Sequence, residues 1–332
     1  MLQKIALSLF CAFATALSAA EFTIEEVDDG VVINIDGKLF TKYVTGDEIS
    51  NKPYFYPVVG PAGVEMTRAY PMKDVEGERQ DHPHHRSLYF GHQFINDNDT
   101  WHERLTLEER AKGDEAKLAK MLETLGASVH RKIVTAAAEG DHAVLKVETE
   151  YRNAAGGKMV EDVRTFTFRV AENGSRIIDA DIEFIGTEET VKFGDAKDAG
   201  FSVRVAHAMC VDAKQGGRIV NSAGDVDKEA WGKRAAWCDF HGPIGSDGGI
   251  LGVAILNHPK SFRHPTPWHA RTYGLFTANP FGLKTVAREE KDSAVELKKG
   301  EKLTLRHRVI LHAGDEKAAG IAKAFEAYAK EK

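Results

Sequence analysis

The chain has 332 residues, 42% of them hydrophobic, and a formal net charge of −6 at pH 7. A mildly acidic chain without a basic stripe argues against a nucleic-acid-binding protein, and no apolar stretch after the first twenty residues is long enough to span a membrane. Neither a G-x-x-x-x-G-K-[ST] pattern nor a strand-linked G-x-G-x-x-G pattern occurs, so we expect no nucleotide cofactor.

The first twenty residues have the pattern of a secretory signal peptide, because Lys4 precedes an apolar run that ends in small residues at 18–20. We therefore expect a mature chain of residues 21–332 that is periplasmic or secreted. Its two cysteines are Cys210 and Cys238. An oxidising compartment permits them to form a disulfide, and two inert buried thiols are the alternative.

Most of the mature chain alternates apolar and polar residues, which is the pattern of half-buried β-strands. The clearest segments of this kind are residues 22–27, 31–36, 142–151, 161–170, 175–184 and 302–311. Two more continuously apolar segments, 201–211 and 249–256, predict central strands. Many strands with few helices between them predict an all-β chain that forms a large antiparallel β-sandwich.

Two helices are predicted at the periphery of the sheets. Residues 104–127 form a helical excursion rich in Glu, Lys, Ala and Leu, and residues 317–330 form an amphipathic C-terminal helix. No linker, repeat or low-complexity segment divides the chain. We therefore expect residues 21–332 to form a single domain.

The segment 81–87, with the sequence DHPHHRS, has the densest concentration of chemically active side chains. Because Pro83 excludes a helix interior, we expect extended backbone on which His82, His84 and Arg86 share one face. Imidazoles placed side by side can bind a metal, transfer a proton or hold an anion. The segment therefore predicts a site without naming its chemistry.

Three further segments combine aromatic, histidine and arginine side chains: residues 54–68, 204–207 and the proline-rich loop within 257–282. Such side chains on loops of a rigid β scaffold are typical of binding sites. We predict these catalytic residues: His82, His84, His85, Arg86, His207 and His269. We predict these substrate-binding residues: Tyr56, Arg68, Trp101, Arg204, Arg263, Trp268, Arg271, Tyr273 and Asn279. For His207, a structural core histidine is the alternative.

Five motifs follow one another across most of the mature chain: YFYPVVGPAG…TRAYPM, DHPHHRSLYFGH, FGDAKDAGFSVRVA, GRIVNSAG and HPTPWHARTYGLFTANPFG. In these motifs the chain resembles the bacterial family labelled PmoA-like, although the helical segment 104–127 is longer than the family's usual link. The resemblance implies a secreted, β-rich protein whose biochemical role is poorly defined. The family label refers to a subunit of methane monooxygenase.

A divalent transition metal is one interpretation of the histidines, since imidazoles suit zinc, copper, iron and nickel. The candidate ligands are His82, His84 and His269. Any further ligand would come from more distant residues: His207, Glu103 or Asp81. No second paired motif accompanies these histidines, so the cofactor is left open at this stage.

Acid–base chemistry without a metal is the other interpretation, because a histidine titrates near neutral pH and arginines stabilise developing negative charge. No G-x-S-x-G elbow occurs, and the motifs lack the opposed carboxylates of a glycosidase. We therefore predict a carbohydrate-active enzyme of the epimerase, lyase or hydrolase type that acts on a sugar or sugar acid. A large sandwich of this kind is also similar to the mutarotase-like supersandwich folds. The alternatives are a non-catalytic carbohydrate-binding protein and a copper-dependent oxygenase.

Overall fold

A computed structural model describes residues 20–47, 49–244 and 247–332 of the chain. The predicted signal peptide, apart from Ala20, lies outside the described residues. Within them, no helix has both the length and the apolar character needed to cross a bilayer.

Strands dominate the described chain, as the alternating patterns predicted. In chain order the strands are β1 (Phe22–Val27), β2 (Gly30–Ile35), β3 (Lys38–Val44), β4 (Tyr54–Val58), β5 (Leu88–His92), β6 (Ala127–Glu139), β7 (His142–Arg152), β8 (Lys158–Val170), β9 (Arg176–Ile185), β10 (Val191–Phe193), β11 (Ala199–Arg204), β12 (Arg218–Asn221), β13 (Arg234–Ala235), β14 (Trp237–Pro243), β15 (Ile250–Asn257), β16 (Thr266–Ala270), β17 (Leu275–Ala278), β18 (Val295–Leu297) and β19 (Lys302–Ala313). The α-helices are α1 (Arg104–Ala111), α2 (Glu115–Leu122) and α3 (Ile321–Tyr328).

Two large sheets form the architecture, and every pairing in them is antiparallel. The first has nine strands in the order β1-β2-β3-β4-β5-β11-β17-β16-β13, and the second has eight in the order β12-β14-β15-β19-β9-β8-β7-β6. Strands β10 and β18 form a separate two-stranded sheet. The predicted all-β antiparallel sandwich is confirmed.

The core lies between the two large sheets, where aromatic side chains from both inner faces meet. The ring of Phe55 on β4 lies 4.7 Å from that of Phe166 on β8, and Phe90 on β5 lies 5.2 Å from Phe184 on β9. Alternation along each strand sends the intervening side chains to the opposite, outer face of its sheet. The outer face of the first sheet carries the site described below.

Three local predictions differ from the structure. The strand predicted at 201–211 ends at Arg204, and a 3₁₀ turn at His207–Met209 follows. The predicted excursion within 104–127 is two short helices, because Lys112 adopts a left-handed conformation with φ 54° and ends α1. The C-terminal helix begins only at Ile321, after Gly320 with φ 69°.

The two described cysteines are free. Cys210 and Cys238 are both buried and unpaired. Burial raises the pKa of the Cys210 thiol to about 11, so this thiol is protonated and poorly nucleophilic at neutral pH. Of the two alternatives, inert buried thiols describe this structure.

Candidate functional site

A row of polar side chains crosses the outer face of the first sheet. Strand register places Tyr54 opposite Tyr89, Tyr89 opposite Ser202, Ser202 opposite Thr277, and Thr277 opposite His269. These five residues, which we call the polar row, are all at most 4% exposed. Buried polar groups on an outer face need a covering layer, and the loops between β4 and α1 supply it.

The segment 81–87 belongs to that covering layer, and its backbone is a turn rather than the extended strand predicted. The amide of His85 donates to the carbonyl of His82 at 3.0 Å, and His82 and Ser87 have φ angles of 47° and 57°. The turn removes the strict alternation that would place His82, His84 and Arg86 on one face. It brings the His82 ring over the His85 ring instead, stacked at 4.9 Å.

Four imidazoles gather around this turn. His84 makes edge contacts with His85 at 4.4 Å and with His102 at 4.6 Å, measured between ring centroids. We call His82, His84, His85 and His102 the histidine cluster. The cluster brings together three of the predicted catalytic residues and adds His102, which the sequence did not single out as a site residue.

Asp198 connects the cluster to the polar row. Its Oδ2 lies 3.8 Å from Nε2 of His102, and its Oδ1 lies 3.8 Å from Nδ1 of His269. Burial lowers the pKa of His269 to about 4, so this imidazole is neutral at pH 7. The predicted catalytic residue His269 therefore lies beside the cluster, with a carboxylate between them.

Hydrogen bonds fix the tautomers of two cluster residues. A guanidinium can only donate, so Nδ1 of His85 accepts from Arg204 at 3.0 Å and the ring proton lies on Nε2. By the same reasoning Nε2 of His102 accepts from Arg110 at 2.9 Å, and its Nδ1 donates to Asp99 at 2.7 Å. The cluster thus contains proton donors and acceptors in assigned orientations.

Burial keeps the two central imidazoles neutral. His84 and His85 are each 2% exposed, and burial lowers the pKa of both well below the usual value for histidine. Nδ1 of His84 lies 2.8 Å from the hydroxyl of Thr106 on α1. Within the described chain, Nε2 of neither ring has a hydrogen-bond partner. Both nitrogens are therefore free to meet a ligand.

Asp81 anchors the turn to three arginines. Its Oδ1 accepts from Arg68 and from Arg204, both at 2.7 Å, and its Oδ2 lies 2.6 Å from Arg79. Burial alone would raise the pKa of Asp81, but the hydrogen bond from His82 and the charges of Arg204 and Arg68 lower it well below its usual range. Asp81 is an ionised anchor, and Arg68 and Arg204 act by holding it.

An open pocket of about 370 Å³ borders the turn. Its lining is polar and contains both charge signs: Gln80, Asp81, His82, His84, Thr106, Glu109 and Arg110. Beside it the ring of Tyr273 stacks on His82 at 5.0 Å, and Arg271 lies 5.4 Å from the centroid of the same ring. Tyr56 packs near Tyr273 against the cluster of apolar side chains on this face.

Arg86 is a correction to the predicted catalytic set. Its side chain is fully buried and makes a bidentate ion pair with Glu103, which also accepts from Lys52 at 2.7 Å. We call Arg86, Glu103 and Lys52 the buried ion network. Arg86 also donates to Asp47 at 3.3 Å, so the two cations of the network face two carboxylates. Arg86 is therefore committed to these partners and not to a substrate, and Glu103 is not available as a metal ligand.

Four predicted substrate-binding residues are also corrected. Residues 266–270 form a strand, and alternation sends Trp268 into the core, where its Nε1 donates to a backbone carbonyl at 3.0 Å. The side chains of Asn279 and Arg263 donate hydrogen bonds to backbone carbonyls of neighbouring loops. Trp101 is fully buried behind His84 and His85. None of these four side chains presents a face or donor to the pocket.

His207 and the predicted metal ligands do not come together in one three-ligand site in the described chain. His207 lies half-buried in its 3₁₀ turn, and no contact with the cluster is found in the described part of the chain. Among residues 20–47, 49–244 and 247–332, His82, His84 and His269 do not belong to any group of three ligand atoms within 4.8 Å of one another. The cluster geometry therefore fits proton transfer better than a three-ligand metal site.

Apart from His269, the residues of the polar row were not predicted from the sequence, and neither was Asp198. The missing signal was alternation within short apolar strands, since Tyr89 and Ser202 face outward between core residues. In the described chain, the buried polar atoms near the cluster that have no hydrogen-bond partner include Tyr89 Oη, Trp101 Nε1, Arg204 Nε and His269 Nδ1. Unpaired buried polar atoms are costly and rare, and their concentration here marks this face as the candidate site.

Comparisons with known proteins give a family and a distant structural likeness. The model of a family described as a family of unknown function (DUF6807) matches residues 30–326. No curated protein matches the chain. A similar solved structure is the Slr1438 protein from Synechocystis sp. PCC 6803, with 9% identity over 92% of this chain and 100% of that chain, and a TM-score of 0.35. The resemblance to the PmoA-like family stays a prediction.

Proposed function

The chain belongs to the DUF6807 family of unknown function, and we propose that it is a periplasmic or secreted carbohydrate-active enzyme. The proposed reaction moves a proton to or from a carbon of a sugar or sugar acid, as in epimerisation or β-elimination. One observation carries the proposal: two neutral, buried imidazoles, His84 and His85, touch each other beside an open polar pocket.

The proposed chemistry follows from the state of these two rings. Nε2 of His85 carries a proton, and a neutral His84 can accept one. A base removes the proton from a carbon next to a carbonyl or carboxylate, and the C–H electron pair becomes an enolate. Return of a proton to the opposite face gives an epimer, whereas loss of a leaving group from the next carbon gives an alkene. Arg110, which lines the pocket, would stabilise the enolate charge.

Hydrolysis by two carboxylates is less well supported by the residues around the cluster. Asp81 is held by three arginines, and Glu103 is enclosed by Arg86 and Lys52. Of the carboxylates in the pocket lining, this leaves Glu109 without a lysine or arginine partner in the described chain, and a glycosidase needs two carboxylates. A general acid of a glycosidase needs a raised pKa, whereas the pKa of Asp81 is lowered. The proton-transfer reactions therefore rank first within the predicted enzyme types.

A non-catalytic carbohydrate-binding protein is the competing function. Such proteins stack sugars on exposed aromatic faces, but Trp101 and Trp268 are fully buried. Tyr273 offers an aromatic ring near the pocket, although His82 already stacks on it. Binding alone also gives no reason for two neutral imidazoles with fixed donors and acceptors.

The test is a panel of free sugars, uronic acids, oligosaccharides and oxidised sugars incubated with the protein in D₂O. Proton NMR reports deuterium entering a C–H position, and near-ultraviolet absorbance reports a new C=C bond. Parallel samples contain EDTA or added zinc, manganese or copper, which tests the predicted transition metal. We expect turnover of at least one sugar or sugar acid.

His84→Gln is the decisive variant and His142→Gln its matched control, since His142 lies half-exposed on β7 of the other sheet. We expect His84→Gln to lower turnover by about 10²- to 10⁴-fold, as loss of an acid–base group does, and His142→Gln to leave it unchanged. Saturable sugar binding without deuterium exchange or elimination would contradict the proposed enzyme and support the carbohydrate-binding protein. If both variants retain full turnover, the active site does not include His84 and lies elsewhere in the protein.

A further inference from the structure

We propose a second site, on the outer face of the eight-stranded sheet, where Asp239, His241 and Glu316 bind a divalent transition-metal ion such as zinc. This proposal is independent of the proposed carbohydrate chemistry, because its residues come from β14 and from the segment after β19. Nothing in the histidine cluster takes part in it.

The three side chains converge from two parts of the fold. Asp239 and His241 are two positions apart on β14, so both leave the same face of the sheet. Nδ1 of His241 lies 2.7 Å from Oδ1 of Asp239 and 3.7 Å from Oε2 of Glu316. One ligand atom from each of the three residues lies within 4.8 Å of the other two. An ion about 2.0–2.2 Å from each atom requires only small side-chain adjustments.

The imidazole of His312 contacts the carboxylate oxygen of Asp239 that does not face His241. Nε2 of His312 on β19 lies 2.7 Å from the second oxygen, Oδ2, and both residues are fully buried. His312 reaches this position by lying across Gly252 on β15, in space that a Cβ would occupy. Hydrogen bonds of this kind orient carboxylate ligands in metal sites. The lack of a side chain at residue 252 therefore keeps Oδ1 of Asp239 directed at His241.

The charge of the group also calls for a cation. Asp239 and Glu316 make no salt bridge with a lysine or arginine in the described chain, and their only charged or titratable partners are His241 and His312. Asp81 and Glu103, in contrast, are each held by lysine or arginine. A buried carboxylate without a fixed cation is costly. A bound divalent ion would balance both carboxylates.

The site is open enough to load an ion. The side chains of His241 and Glu316 are 10% and 11% exposed, whereas Asp239 is fully buried at the base. Three protein ligands leave a fourth position for water, which is the arrangement of an accessible zinc site. One nitrogen and two oxygen donors suit zinc or cobalt better than the all-oxygen preference of magnesium or calcium.

The experiment uses the chain without its first twenty residues, stripped of metal with a chelator and titrated with zinc by calorimetry. Cobalt(II) absorbance gives a second readout, because its visible bands report the ligand geometry directly. We expect one ion per chain. Glu316→Gln should weaken zinc binding about 100-fold and change the cobalt spectrum, while Glu326→Gln, on the exposed side of α3, should change neither.

Thermal unfolding of each variant without metal separates loss of the site from loss of the fold. Glu316 lies at the surface of the site, so Glu316→Gln should unfold within a few degrees of the unaltered chain. If zinc fails to bind, or binds equally to the unaltered chain and to Glu316→Gln, the proposed site is wrong. Gly252→Ala provides an independent check, because displacing His312 should weaken zinc binding about 10-fold or more.

Discussion

The buried ion network and the histidine cluster come from the same part of the chain, but they differ in how fully their polar atoms are hydrogen-bonded. In the buried ion network, Glu103 accepts three hydrogen bonds from Arg86 and one from Lys52. Arg86 also donates to Asp47, so each charge has a partner. In the histidine cluster, Nε2 of His84 and of His85 has no partner in the described chain. The paired group serves the fold, whereas the histidine cluster leaves two ring nitrogens available to a ligand.

This difference separates structural from functional polar residues better than residue type does. Arg86 belongs to the DHPHHRS segment and was predicted to be catalytic, yet it is the member whose donors are used internally. His85 and His84 lie one and two positions before Arg86, and each keeps a ring nitrogen available. A polar atom that makes no hydrogen bond within the described chain is therefore a better guide to the candidate site here than the type of the residue.

The largest expected effect comes from breaking the buried ion network. Glu103→Ala leaves the buried Lys52 without a carboxylate and Arg86 with Asp47 alone, so we expect the free energy of unfolding to fall by about 3–5 kcal/mol. Urea denaturation measures this change. Glu289→Ala is the control, because Glu289 pairs with Arg234 where both are about one-third exposed and the expected loss is about 0.2–1 kcal/mol. Equal losses in the two variants would contradict a purely structural role for the network.

The next effect is the change in stability with pH that the buried His269 of the polar row causes. Because burial holds the pKa of His269 near 4, the unfolded chain takes up a proton at this residue between pH 6.5 and 5 while the folded chain does not. His269 therefore costs about 2 kcal/mol of stability as pH falls from 6.5 to 5. We expect His269→Phe to lose less stability than the unaltered chain over this range.

Urea denaturation at several pH values between 5 and 7 measures that difference. His142→Phe on the second sheet is the matched control and should keep the pH dependence of the unaltered chain. A profile for His269→Phe that falls as steeply as the original would show that His269 is not a buried neutral imidazole in solution.

The fold was more accessible from the sequence than the site. Alternation predicted β9 to within one residue, because this strand has one face on the core and the other half-exposed. The polar row was hidden, since Tyr89, Ser202 and Thr277 become neighbours only through register between strands far apart in sequence. Register depends on packing of the complete sheet, which no local pattern contains.

The site predictions succeeded where the residues were close in sequence and failed where strand geometry decides. His82, His84 and His85 meet because one turn joins them. Trp268 was misassigned because the segment around it was read as a loop. As part of β16, it faces the core, while its neighbour His269 faces the site.

A smaller effect tests how α1 positions the cluster. Thr106→Val removes the hydroxyl next to Nδ1 of His84 and leaves that nitrogen unpaired, so we expect a stability loss of about 1–2 kcal/mol. Turnover should fall further than stability explains, because the His84 ring is no longer held in one orientation. Thr106→Ser keeps the hydroxyl and should restore most of the turnover. An active Thr106→Val enzyme would mean that the ring is positioned by its neighbours alone.

The smallest effect is expected on the exposed side of the same helix. Arg104 and Glu108 form an ion pair one helical turn apart, with side chains 62% and 42% exposed. Such pairs contribute about 0.3–0.5 kcal/mol, so Arg104→Gln should change the free energy of unfolding by no more than this and should leave turnover intact. A larger loss of turnover in Arg104→Gln than in Thr106→Val would contradict this expectation. It would mean that α1 affects the cluster through its surface charge and not through the contact between Thr106 and His84.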